Sequence, residues 1–279
     1  MYEPYWSLNR RPFQRTQDRF WFVPVDSAHE ALSRLQYLVE ESRRCGLLTG
    51  PAGTGKTFLI SVLEKHARRQ GQEVVRLNCA GLGRDEFPAH LAEALGLIPS
   101  VMAPAGQHWR LLQQNLEGRR LTGPGLVLIL DQFDQAAAGC DLPVQRLLAL
   151  AETVNAPLCV VLVARQGTSI NPATKLAGLS ELRMELLAWT PGECAEYIQT
   201  TLRKAGASRD VFTPPALFRV WFQTAGIAVR VAQLCDLALL AAMERELPLV
   251  DCDVVDSVAE ELGFALPDQL LQSSFALPA

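Results

Sequence analysis

The sequence predicts an α/β fold, in which helices cover both faces of a parallel sheet, followed by a small all-helical domain. Three observations predict it. Short apolar runs alternate with helix-like segments over residues 1–188. A glycine-rich motif lies between the first of these runs and the helix that follows it. Beyond Ala188 the pattern contains helices only.

Five segments are the predicted strands, at 46–49, 73–78, 126–131, 158–163 and 183–187. The third and fourth are apolar almost throughout, which is typical of central strands buried on both faces. Helical spacing between the runs predicts helices over 58–69, about 84–95, around 109–112 and about 142–152. Strands and helices in this alternating order indicate a parallel sheet covered on both sides.

The glycine-rich motif has the form G-x-x-x-x-G-K-[ST], the loop that wraps nucleotide phosphates. It comprises Gly50, Pro51, Ala52, Gly53, Thr54, Gly55, Lys56 and Thr57, and Phe58 follows it into the helix. Glycines let the backbone N–H groups face a phosphate, Lys56 supplies charge for the β- and γ-phosphates, and the Thr57 hydroxyl can bind Mg²⁺. The strand before the loop and the helix after it disfavour a chance glycine-rich turn. We therefore predict that these residues bind a nucleotide.

A second motif follows the apolar run 126–130, where Asp131 ends a predicted central strand. A carboxylate at this place is predicted to hold Mg²⁺, directly or through water. Many P-loop ATPases have a glutamate next to it that polarises the attacking water, but here the residue is Gln132, which cannot accept a proton. Gln132 is either a water-positioning residue or a structural amide, and Asp134 supplies a carboxylate nearby. The predicted catalytic residues are Lys56, Asp131 and Gln132, and slow hydrolysis is expected.

Composition places the chain among globular proteins. Its 279 residues are 49% hydrophobic and 20% charged, which suffices for one sizeable core and a smaller domain. The net charge of −4 does not indicate a generally basic surface for nucleic acid or anionic membranes, although a local basic patch stays possible. No apolar run approaches the roughly 20 residues of a membrane span, and the N-terminus lacks a signal-peptide pattern, so a cytoplasmic location is expected.

Seven cysteines are scattered without a C-x-x-C pair. This arrangement does not fit metal-ligand spacing. We predict that most of them are small buried apolar residues in a reducing compartment.

The segment after Ala188 begins with a predicted capping box, in which Thr190 is the N-cap, Pro191 the first helical residue and Glu193 the third. Further helices are predicted from Thr213, over 229–243 and from Asp251 to about Leu262. The predicted domains are 1–188, 189–265 and a tail of 266–279. The helical domain is interpreted as a lid that closes over nucleotide, and the alternative is a bundle used only for packing.

Several segments in fixed order carry a resemblance to a known family: 5–13, 20–24, 28–32, 48–57, 193–198 and 234–240. They resemble AAA+ ATPases of the general secretion pathway protein A (ExeA-type) group, which is related to transposition ATPases of the TniB/TnsC kind. The resemblance implies an AAA+ P-loop NTPase fold, ATP with Mg²⁺, and activity coupled to oligomerisation or to a protein partner. By the same analogy Phe20, Trp21 and Phe22 lie near the adenine, and the alternative is core packing under the sheet.

The chain also departs from that group. An Asp-Gln pair replaces the group's Asp-Glu pair. In the group the fourth strand ends in a G-Q-P-like turn, whereas here residues 163–167 have the sequence V-A-R-Q-G. Arg165 or Gln166 could then sense the γ-phosphate. A lid motif similar to G-I-P-R is present at 226–230, but Arg230 is displaced by one residue, which turns a helical side chain by about 100°. Arg183 fits poorly as an arginine finger and is interpreted as a solvated charge at a strand end.

Three functional hypotheses follow. The first is an ATP-binding AAA+ NTPase whose hydrolysis is coupled to conformational change or assembly, with a homo-oligomer or a membrane-associated secretion component as partner. The second is a regulatory switch that binds ATP and ADP with little turnover, which Gln132 favours. The third is a DNA-associated ATPase like the transposition regulators, for which the sequence contains no recognisable DNA-reading motif.

Overall fold

The structure is a computed structural model that describes residues 2–14, 18–97, 105–166 and 176–264. The predicted tail of 266–279 lies outside the described residues. The chain divides into two compact units. One comprises residues 30–51 and 56–186, and the other comprises residues 1–29, 52–55 and 187–279.

The first unit contains a five-stranded parallel sheet, and all five predicted strands are confirmed. The strands are β1 (Cys45–Thr49), β2 (Glu73–Asn78), β3 (Leu126–Asp131), β4 (Leu158–Val163) and β5 (Leu182–Glu185). Their order across the sheet is β2-β3-β4-β1-β5. The central strands β3 and β4 are buried along their whole length, as expected for strands covered on both faces.

The helices that accompany the sheet are α1 (Asp26–Glu40), α2 (Lys56–Arg69), α3 (Phe87–Ala94), α4 (Ala105–Thr122) and α5 (Asp141–Thr153). Four of them were predicted, with bounds that differ by a few residues. Helix α1 was missed, although its buried residues Ala31, Leu35, Leu38 and Val39 follow helical spacing. Proline at position 24 and Asp26 also mark its beginning.

The parallel register brings the carboxyl ends of the strands to one edge of the sheet. Asn78 on β2 lies beside Asp131 on β3, and Leu48 on β1 lies beside Val163 on β4. The glycine-rich loop leaves β1 at this edge, and residue Arg165 follows β4 there. Ligands of open α/β sheets bind outside this edge, so the register alone assembles the candidate site.

The second unit is helical, as predicted for residues after Ala188. It contains α6 (Pro191–Ala205), α7 (Pro214–Thr224), α8 (Ala228–Glu244) and α9 (Cys252–Glu261). The predicted capping box at Thr190 and Glu193 is present. Thr213 and Asp251 each accept a hydrogen bond from the third residue of the helix they cap. These caps explain why α6, α7 and α9 begin where they do.

The N-terminal segment packs against these same helices. Tyr2, Trp6 and Phe13 belong to the hydrophobic cluster of the second unit. The Trp6 indole donates a hydrogen bond to the Leu239 carbonyl oxygen at 3.0 Å, and the Tyr5 hydroxyl donates to that of Leu247 at 2.9 Å. This grouping differs from the predicted first domain, which began at residue 1.

The aromatic segment 20–22 belongs to the second unit, and its packing under the sheet stays a prediction. Trp21 packs against the hydrophobic cluster of the second unit, and Phe20 is 40% exposed. The Lys204 ammonium donates hydrogen bonds to the carbonyl oxygens of Phe20 at 3.0 Å and Phe22 at 2.7 Å. Contact with adenine stays a prediction for these residues.

Among the described helices, none combines the length and the apolar composition needed to cross a membrane.

Candidate functional site

The glycine-rich loop runs from the end of β1 to Lys56, the first residue of α2. Gly53 and Gly55 have φ angles of 82° and 97°, which side chains with a Cβ atom rarely adopt. A Cβ atom on Gly53 would also lie 2.9 Å from Cγ2 of Ile227. The Gly53 carbonyl oxygen accepts a hydrogen bond from the backbone N–H of Val229 at 3.0 Å, so the start of α8 contacts the tip of the loop.

The Lys56 side chain is folded back onto its own loop. Its ammonium donates hydrogen bonds to the carbonyl oxygens of Gly50 and Pro51, both at 2.7 Å. Burial lowers its pKa, the nearby carboxylates of Asp134 and Asp131 oppose that shift, and Arg165 adds to it. The loop carbonyls therefore hold a partly desolvated cation at the place where phosphates are predicted to bind.

Asp131 is buried, with 7% of its side chain exposed. One oxygen accepts a hydrogen bond from Nη2 of Arg76 at 2.5 Å, and the other accepts the backbone N–H of Gln132 at 2.9 Å. Arg76 was not predicted as a site residue. The available signal was an arginine between the apolar residues Val75 and Leu77 of β2.

Mg²⁺ prefers oxygen ligands and commonly takes one or two from the protein and the rest from phosphates and water. The Thr57 hydroxyl, on the second residue of α2, is exposed, and each Asp131 oxygen keeps a lone pair beyond the hydrogen bond that it accepts. The oxygen donors of these two residues are of the kind that Mg²⁺ binds, and their metal-binding roles stay predictions.

Gln132 adopts the left-handed conformation, with φ 54° and ψ 36°. Its exposed side-chain oxygen accepts a hydrogen bond from the Gln135 amide at 3.1 Å. The structure therefore gives Gln132 a local structural contact, and the amide remains at the surface. Both predicted roles, water positioning and local structure, are compatible with this placement.

Asp134 and Arg165 form a second ion pair of the site. The Asp134 side chain is 1% exposed and lies 2.8 Å from Nε of Arg165. Its other oxygen accepts the backbone N–H of Arg165 at 3.1 Å. Both residues act on the pKa of Lys56, which the Asp134 carboxylate raises and the Arg165 guanidinium lowers.

The remaining polar candidates are occupied elsewhere. The Gln166 amide donates to Glu185 at 2.5 Å, and Gly167 lies outside the described residues. The Arg230 guanidinium lies 5.5 Å from the ring centre of Phe264, as a cation–π contact. Arg183 is an exposed residue of β5.

Comparisons with known proteins bear on the fold. Residues 39–169 match the family model described as the AAA domain. The structure resembles that of Cdc6p from Pyrobaculum aerophilum, with a TM-score of 0.71 and 18% sequence identity. The similarity covers 95% of this chain and 73% of that one. The structure also resembles a chain of the Drosophila ORC bound to DNA, with a TM-score of 0.66 and 19% sequence identity. That similarity covers 85% of this chain and 60% of the other. The fold is that of the AAA+ P-loop ATPases.

One curated relative is similar in sequence. General secretion pathway protein A of Aeromonas hydrophila is 27% identical over 250 residues, which are 88% of this chain. The match spans 45% of the length of that relative. The resemblance to AAA+ ATPases of the general secretion pathway protein A group is thus supported by the family model, by this relative and by the solved structures.

Proposed function

We propose that this chain is an ATP-binding AAA+ NTPase in which nucleotide binding and hydrolysis drive a conformational change or assembly. The observation that carries the proposal is Lys56, a partly desolvated cation held on the carbonyl oxygens of its own glycine-rich loop. Phosphate oxygens would replace these carbonyls as its partners. Such an exchange favours the charged form of Lys56, which burial disfavours.

In the proposed mechanism each residue has a separate role. The loop N–H groups and Lys56 bind the β- and γ-phosphates, and Thr57 with Asp131 holds Mg²⁺. Bound Mg²⁺ would neutralise charge on the phosphate oxygens. Gln132 orients the attacking water, and Arg165 contacts the γ-phosphate while Asp134 holds it in place. Arg165 is preferred to Gln166 because the Gln166 amide is bonded to Glu185.

The helices after Leu187 are proposed to act as a lid. Support comes from the hydrogen bond between Val229 at the start of α8 and the Gly53 carbonyl. A nucleotide that changes the loop conformation would act on this bond and thereby on α8. Such coupling would give the protein two states that ATP and ADP stabilise differently.

Isothermal titration with ATP in the presence of Mg²⁺ tests the binding proposal. Lys56→Ala should abolish the binding, while Lys65→Ala, an exposed lysine of the same helix, should leave it unchanged. If the unmodified protein shows no ATP affinity, the proposal fails. Steady-state hydrolysis that disappears in Lys56→Ala would then establish turnover.

A second candidate function is a nucleotide switch with negligible hydrolysis. Gln132 favours it, because its amide cannot accept a proton and is bonded to Gln135 at the surface. Tight ATP binding without turnover in a single-turnover assay supports the switch. Measurable single-turnover cleavage excludes it.

The cellular pathway that the protein serves is a more specific proposal than ATP binding and hydrolysis. Similarity to general secretion pathway protein A supports a role in secretion, with a homo-oligomer or a membrane-associated component as partner. The test is to replace the native chain by Lys56→Ala in its own organism and to measure secreted protein. An ATP-dependent, salt-sensitive shift of duplex DNA would instead support a DNA-associated role.

A further inference from the structure

Arg76 is a charged residue in the middle of a buried strand. Its neighbours on β2, Val75 and Leu77, are both less than 10% exposed. The Arg76 guanidinium lies between two carboxylates, 2.5 Å from Asp131 and 3.3 Å from Glu64. The exposed fractions of the three side chains are 25%, 7% and 14% respectively, so the network is largely screened from water.

Strand register and helix position create this arrangement. Arg76 pairs with Ile129 and Asn78 pairs with Asp131, so Arg76 and Asp131 are diagonal neighbours on one face of the sheet. Glu64 reaches the same guanidinium from α2, the helix that begins with Lys56. The cation therefore connects the strand that carries Asp131 to the helix that follows the phosphate loop.

The charge of Asp131 matters to phosphate binding. A buried carboxylate close to the loop repels phosphate oxygens, and it is near enough to Lys56 to act on that residue. Removing one partner of a buried ion pair leaves the other charge uncompensated. In this chain Arg76 supplies the compensating charge from within the protein.

We propose that Arg76 is a built-in counter-cation for Asp131, which allows the loop to hold nucleotide phosphates without a metal ion and so weakens the Mg²⁺ requirement of nucleotide binding. The inference rests on the proposed function, since it needs ATP to bind at this loop. It makes Arg76 a positioning and charge-balancing residue, without a direct contact to the nucleotide.

The test compares ATP affinity in excess Mg²⁺ with ATP affinity in EDTA, measured by titration calorimetry. The variants are Arg76→Met, which removes the charge, and Arg76→Lys, which keeps it. Arg68→Met is the matched control, because Arg68 also pairs with Glu64, at 3.5 Å. Arg68 and Glu64 both lie on α2. Thermal unfolding of every variant shows whether it is folded.

For Arg76→Met we expect ATP affinity in EDTA to fall at least about tenfold, while affinity in Mg²⁺ changes by less than about threefold, because the metal takes over the neutralisation. Arg76→Lys and Arg68→Met should keep both affinities. Adding Asp131→Asn to Arg76→Met should restore the EDTA affinity, since the uncompensated charge is gone. If Arg76→Met folds poorly by itself, this double variant still allows the inference to be tested.

Equal losses in both buffers, or no loss in EDTA, would overturn the inference while leaving the proposed function intact. The same holds if the double variant regains nothing. Absence of ATP binding to the unmodified protein in both buffers would overturn the proposed function and this inference with it.

Discussion

The carboxylate of Asp134 accepts two hydrogen bonds from Arg165, one from Nε at 2.8 Å and one from the backbone N–H at 3.1 Å. The carboxylate is buried, whereas 47% of the Arg165 side chain is exposed at the carboxyl edge of the sheet. Asp134 thus orients the arginine without covering its outer face. A group held in this way is preorganised for an anion.

Arg165→Gln should therefore weaken ATP affinity more than ADP affinity, if Arg165 contacts the γ-phosphate. It should also destabilise the protein by about 1–3 kcal/mol, because a buried carboxylate loses its charged partner. Titration calorimetry and urea unfolding measure the two effects. In the double variant Asp134→Asn/Arg165→Gln, most of the stability should return while the nucleotide preference stays lost. An unchanged ratio of ATP to ADP affinity would exclude the γ-phosphate contact.

Gln132→Glu should increase steady-state turnover at least about tenfold, because a positioned carboxylate can accept the proton of the attacking water. The backbone already has φ 54° at this position, so glutamate costs no additional strain. Gln135→Glu is the control, since it adds the same charge three residues further on. No gain in Gln132→Glu would place the limit on turnover elsewhere and support the switch.

Gly53→Ala should destabilise the protein more than Gly55→Ala. Both positions have positive φ, which costs about 1 kcal/mol for alanine, but only the Cβ atom at Gly53 meets a neighbour, 2.9 Å from Ile227. Close contacts of this kind cost about 1–3 kcal/mol. Gly71 has φ 77° and open space around it, so Gly71→Ala measures the cost of a positive φ for alanine outside the loop. Adding Ile227→Ala should remove the excess at Gly53, and equal costs for Gly53→Ala and Gly55→Ala would refute the clash.

Thr190→Ala should lower the free energy of unfolding by about 1 kcal/mol, because the capping box of α6 loses one of its two hydrogen bonds. Thr190→Ser keeps the hydroxyl and should be close to neutral. Urea unfolding of both variants gives the difference. A cost for serine as large as that for alanine would show that the methyl group, and not the cap, is responsible.

Glu193 makes stability depend on pH. Burial raises its pKa, but hydrogen bonds from Thr190 and Ser27 outweigh burial and hold the pKa below the ordinary value of 4.5. Its stabilising contribution is therefore present above about pH 4.5 and is lost as the pH falls through the lowered pKa. Glu193→Gln should be less stable than the unmodified protein at pH 7, and the two should converge on acidification. Parallel stability curves would contradict the assignment.

Cys252 should react with a thiol reagent well before the other cysteines. It is half-buried, whereas Cys45, Cys140 and Cys194 are buried, with burial raising the pKa of the first two to about 11 and of the third to about 12. Since the thiolate is the reactive form, these thiols are protected at pH 8. Cys252→Ser should remove the fast phase of labelling, and a persistent fast phase would show that another thiol becomes accessible.

Local patterns were sufficient to predict much of the fold. All five strands and the helices from Thr190 onward follow from hydrophobic periodicity and capping residues, which act within a few positions of the chain. The glycine-rich loop was recognisable because its neighbours in sequence are also its neighbours in space. Helix α1 was not predicted, although its buried residues follow a 3.6-residue periodicity.

The amino-acid sequence by itself therefore determined the strand–loop–helix unit around Lys56, the carboxylate at Asp131 and the helical character of the C-terminal part. Tertiary structure alone decided that Arg76 compensates Asp131, that Asp134 holds Arg165, and that the N-terminal aromatic residues pack with the C-terminal helices. The physical reason is the order of strands in the sheet and the packing of helices, which bring together charges and rings that are distant along the chain. No local preference encodes those distances.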